Sequence, residues 1–163
     1  MKKILLFVAT ILFTTIGFSQ AYDGAGDLKF QIGINAQSNG TGITGTLDYG
    51  IGQNFSVGAS SAYMLGVNEL INVPFVDKFD IKIRANANIG DVFKLAENAD
   101  IYPGLNLSLK NFGGHLGGRY FFTDGFGVFA EFYTPIAKYN DDLTPSEEFH
   151  NQFAINLGAS FNF

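Results

Sequence analysis

The chain has 163 residues, 15% of them charged, with 20 Gly, 18 Phe and 7 Tyr. That is one domain's length, with less charge than the roughly 25% of an ordinary soluble domain and too much apolar surface for disorder. A formal charge of −5 without a basic cluster excludes a nucleic-acid partner. The absence of cysteine excludes a disulfide framework, a Cys-based zinc site and a lipid-modified N-terminal cysteine.

Residues 1–19 read as a cleavable export signal. Lys2 and Lys3 provide the positive start, Ile4–Ile16 form the apolar run, and Gly17 and Ser19 occupy the small-residue positions before a cut between Ser19 and Gln20. A cut after Ala21 is the second choice. The apolar run is too short to span a bilayer as a helix, which needs about 20 residues. No later stretch does better, so a mature chain in a membrane has to be a closed barrel. Residues 20–27 form a short polar lead-in.

From Leu28 onward the chain alternates apolar and small polar residues with the period of a strand. Strands are predicted at 28–37, 43–51, 55–65, 79–89, about 100–110, 115–122 and 126–136, and from about Phe149 to the end. Eight strands of nearly the 9–11 residues expected of a tilted spanning strand make an all-β, antiparallel, up-and-down transmembrane barrel over 28–163. "GQN" and "TDG" are tight turns at the end that holds both termini, whereas 66–78 and 137–148 are long loops at the other. "GDVFKLAENA" is long for its side and "NFGG" short. Pro103 interrupts strand five, where a barrel has no free edge to absorb a missing N–H, so a bulge or a later strand start is expected.

The charges indicate which way the apolar face points. No Asp, Glu, Lys or Arg falls on it in any predicted strand. The polar face is mostly Gly, Asn, Ser, Thr and Gln, unlike a soluble exterior. Its ions are balanced: Lys29, Lys82, Arg84 and Arg119 against Asp48, Asp80, Asp100 and Glu131. Balanced ions among small polar groups suit a packed interior, with Arg84 and Lys82 paired to Asp48, and Arg119 to Glu131. Aromatics gather at strand ends as two girdles: Tyr49, Phe55, Tyr120, Phe122, Phe126, Phe161 and Phe163 at one rim, and Tyr63, Phe79 and Phe149 at the other.

The signal segment, eight alternating strands and a last strand ending in Phe resemble the small outer-membrane barrels of the OmpA/OmpX type, in a Bacteroidota-like version. The resemblance implies a place in the outer membrane of a Gram-negative bacterium, in contact with its lipid. It also implies that Ile155, Leu157, Phe161 and Phe163 form a C-terminal signal for the barrel assembly machinery.

Little chemistry is legible. His115 and His150 lie on the polar face near the outer ends of strands six and eight and could serve a lipid-modifying enzyme. Neither has a neighbouring Ser, however, and "GHLGG" lacks the His-x-Ser pattern of the lipid A deacylases; Ser146 is the nearest. The acidic loop with Glu147 and Glu148 lacks calcium-loop spacing. No catalytic residue, metal or cofactor is therefore expected. The reading favours a non-enzymatic outer-membrane protein with a plugged, ion-paired interior, serving envelope structure or surface interaction. The alternatives are a narrow channel or transporter for small or apolar solutes, a lipid-modifying enzyme, and a soluble secreted barrel.

Overall fold

The computed structural model describes residues 20–67 and 73–163. The expected export signal over 1–19, with Ser19 at its cut, and part of the 66–78 loop lie outside the described residues. The chain forms β1 (Leu28–Gln37), β2 (Gly40–Gly50), β3 (Phe55–Val67), the single turn α1 (Phe75–Lys78), β4 (Phe79–Ala87), β5 (Ala99–Ser108), β6 (Asn111–Thr123), β7 (Phe126–Lys138) and β8 (Ala154–Asn162). Each strand pairs antiparallel with its sequence neighbours, and β8 returns to β1 to close an eight-stranded barrel. The closing seam continues past the last strand, because Phe163 N–H donates to the Leu28 carbonyl at 3.1 Å. We call the rim carrying the chain ends the terminal rim and the opposite one the loop rim.

The wall is turned outside in relative to a soluble protein. Ile34 and Ile83 are 58% and 64% exposed on the outer surface, while Lys29 and Arg84 are 1% and 5% exposed within. Strict period two makes this possible, since every second side chain points inward. An eight-stranded barrel is just wide enough for those side chains to fill it. Aromatic rings ring both rims on the outside. Tyr120, Phe122, Phe126, Phe161 and Phe30 form a chain of contacts at the terminal rim, and Tyr63, Phe75 and Phe79 form another at the loop rim. Phe149 does not belong to the outer girdle: it is buried beneath the loop rim.

Several boundaries differ from the sequence expectation. β2 starts at Gly40, because Ser38 and Asn39 form a two-residue hairpin with Asn39 at φ 62°; such turns need left-handed backbone, which Asn tolerates. "NFGG" is not a loop but the first four residues of β6, with Leu109 and Lys110 as the turn. β8 begins at Ala154 rather than Phe149. His150 therefore sits on the preceding connection, and His115 lies well inside β6 rather than at its end.

Pro103 is accommodated without ending β5. The Ile101 carbonyl accepts from Ile89 N–H, on the β4 side. Residues two apart in a strand point their backbone groups the same way, so the missing N–H of Pro103 also faces β4. There the ladder stops at Asn86↔Gly104, and β4 and β5 share only five residue pairs.

Candidate functional site

The described chain concentrates its ionisable chemistry inside the barrel. At mid-height, Arg84 from β4 bridges two carboxylates on different strands: Nη2 lies 2.7 Å from Glu131 Oε2 on β7 and Nε lies 3.3 Å from Asp48 Oδ1 on β2. Its Nε also donates to Asn86 Oδ1 at 3.1 Å. His115 closes the group. Its Nε2 lies 2.7 Å from Asn86 Oδ1 and 2.9 Å from Arg84 Nη2, and its Nδ1 lies 3.0 Å from Asn106 Nδ2. A guanidinium is suited to this shared role because its planar fork serves several acceptors at once.

Toward the terminal rim the interior is filled. Arg119 pairs with Asp100 at 2.8 Å and donates to Asn88 Oδ1 at 2.6 Å, while Asp100 Oδ1 accepts Gly90 N–H at 2.9 Å. The fully buried Tyr102 ring lies between Arg84 and Arg119, 5.7 and 4.7 Å from their guanidinium carbons. Gly117 makes this possible, since a Cβ there would run into the Tyr102 ring. Lys29 reaches Asp27 at 2.6 Å and Asn162 at 2.8 Å beside the buried Phe121. The lead-in crosses the rim above them. Tyr22 OH donates to the carbonyls of Gly52 and Phe55, and Ala21 N–H to that of Glu97. Burial, reinforced by Asp27, pushes the Tyr22 phenol up.

Toward the loop rim the interior is looser. Lys82 pairs with Asp80 at 2.6 Å and stands 4.6 Å over the Tyr133 ring. A cavity of about 30 Å³ lies among Asn35, Thr44, Ser60, Lys82, Asn106 and Asn156, room for one or two waters. The β7–β8 connection covers it with Phe149, His150 and Asn151, all buried.

All eight ions singled out from the sequence point into the barrel; Lys82, with 12% of its side chain exposed, is the least enclosed. Two of the expected pairings are wrong. Lys82 meets Asp80, its neighbour two residues back on the same inward row, rather than Asp48. Arg119 meets Asp100, directly opposite it in the β5–β6 register, rather than Glu131, which goes to Arg84. Asp27, Tyr102 and Tyr133 were missed. Each lies an even number of residues from a recognised inward ion, Lys29, Asp100 and Glu131 respectively, so parity alone would have found them.

Among the described residues no hydroxyl bonds to either histidine ring: Ser146 donates instead to Asp77 Oδ2 at 2.9 Å. No group of three or more His, Cys, Asp or Glu suited to a metal occurs among them. Ile155, Leu157, Phe161 and Phe163 share the outward face of β8 and its end, and Gln20 begins the described lead-in. Residues 12–163 match a family described as a family of unknown function, DUF6646. No curated protein matches the chain.

Proposed function

The chain belongs to that family of unknown function, and we propose that it is an integral outer-membrane barrel, non-enzymatic, with an interior that blocks bulk flow and external loops that serve envelope structure or surface interaction. The observation that carries this reading is the inverted wall: exposed Ile, Leu, Val and Phe between two aromatic belts, around a core of buried ion pairs. In water such a surface would be a severe association hazard. Against lipid it costs nothing, whereas a midplane Lys or Arg pointing outward would cost about 2–4 kcal/mol. Export through the 1–19 segment and insertion through the signal at Ile155, Leu157, Phe161 and Phe163 belong to the same proposal, as do the assembly machinery and lipid as partners. Fractionation with a heat-modifiable gel shift tests it. Recovery in detergent extracts with faster migration when unheated is expected, and recovery in the detergent-free soluble fraction would overturn it.

The blocked interior is supported by Arg84, Tyr102 and Arg119 lying across the lumen in contact with one another. Planar-bilayer recording should show no steady nanosiemens-scale conductance for the parent protein, whereas Arg84→Ala should conduct or unfold more readily. An enzymatic role for His115 is disfavoured by its engagement with Asn86 and Asn106. Replacing both histidines should leave envelope lipids unchanged by mass spectrometry.

A further inference from the structure

The cover over the loop-rim cavity is tied to itself by short-range hydrogen bonds. Thr144-Pro145-Ser146-Glu147 closes on itself: Thr144 N–H and Oγ1 both donate to Glu147 Oε2, at 2.8 and 2.7 Å. Short turns follow through Glu148, Phe149 and Asn151. Phe149 then enters the barrel mouth against Gly40 and close to Met64. His150 holds φ at 67°, a strained conformation for a residue with a side chain. Its backbone is held by side chains from two strands, with its N–H donating to Gln37 Oε1 at 2.9 Å and its carbonyl accepting Asn111 Nδ2 at 2.8 Å. Its ring Nε2–H donates to the Lys78 carbonyl at 2.9 Å. The seat is thus made of side chains and one imidazole, not of a strand ladder.

We propose that residues 139–153 form a pH-released stopper: protonation of His150 unseats it and opens a blind, polar chamber to small hydrophilic solutes from the loop rim, with the terminal half still shut. Burial supplies the direction, opposed by the Lys78 carbonyl that accepts from the ring. Lys82 on β4 and Lys110 in the β5–β6 turn oppose a second cation at His150, and Asp80 on β4 favours one. Lys78 and Asp77 on α1 contribute a carbonyl and the Ser146 anchor, Tyr133 on β7 an uncharged phenol, and Glu147 and Glu148 lie on the stopper itself. Burial is the largest influence, and the imidazole is pushed down to about 4. Below the chamber, Arg84 and Tyr102 remain in contact. The inference goes beyond the proposed function and does not depend on cellular location.

The absence of cysteine from the chain makes the test direct. Ser60→Cys places a thiol in the chamber, Gln31→Cys one in the filled half, and Leu109→Cys, at a residue 93% exposed, an open reference. A cationic methanethiosulfonate is applied to the purified barrel in detergent, and rates are divided by the reference rate at the same pH. Between about pH 7.5 and about pH 4.5 the chamber ratio should rise by about tenfold or more, as for a group losing about one unit of protection. The Gln31→Cys ratio should stay low. His150→Asn, which tolerates positive φ, and His150→Gln should each abolish the rise. An unchanged chamber ratio would overturn the proposal, as would an equal rise in either His150 variant or a parallel rise at Gln31→Cys, which would signify opening of the whole barrel.

Discussion

The two halves of the lumen use the same residue types differently. In the terminal half, Asp100 and Tyr102 press on Arg119 from the neighbouring strand, and the Tyr102 ring fills the space that Gly117 leaves. In the loop half, Lys82 and Asp80 border a water-sized space under a removable cover. A buried ion stripped of its partner is left as an uncompensated charge, so the filled half is intolerant of loss and the half with room for water forgiving. The contrast assigns rigidity to one rim and access to the other.

Breaking the filled half should have the largest effect. Arg119→Ala leaves the buried Asp100 without its cation and should cost about 3–5 kcal/mol in denaturant unfolding of the detergent-solubilised barrel. Next comes acid. His150 is buried uncharged with its folded pKa at about 4, against an ordinary value near 6.5. Its contribution is complete above about pH 6.5 and is lost as the pH falls toward 4, up to about 3 kcal/mol in all. Unfolding midpoints across that window should follow the slope, and His150→Asn should flatten it. Gly117→Ala forces a methyl against Tyr102 and should cost about 1–3 kcal/mol, seen as a lower melting temperature. Lys82→Ala should be mildest, about 1–2 kcal/mol, because water can reach Asp80. If the Lys82 and Arg119 variants lose equal stability, the two halves do not differ as described.

Much of the architecture was legible because a barrel wall obeys one rule, and that rule is local. Leu28, Phe55, Phe79 and Phe126 open their strands where the alternation begins. Which side faces inward followed from where the charges fell. The start of β6 was not legible, because Asn111-Phe112-Gly113-Gly114 has the composition of a turn. Those glycines are strand residues: Gly113 lies under the Tyr133 ring, where a Cβ would press into it. Ion pairing was not legible either. Parity says which ions enter the lumen, but their partners depend on the stagger between strands, which places Asp100 opposite Arg119 and leaves Glu131 for Arg84. The cover at His150 depends on a loop crossing the mouth, which no periodicity encodes.

The short β4–β5 ladder has a consequence for how the closed wall yields. With five pairs, against ten between β1 and β2, this seam has the fewest interstrand bonds to break, and Pro103 removes one more donor at its end. Amide exchange with deuterium should therefore begin beside Ala87 and Tyr102 and spread from there. The barrel would come undone along the side opposite its β1–β8 closure, like a cylinder splitting at a scored line.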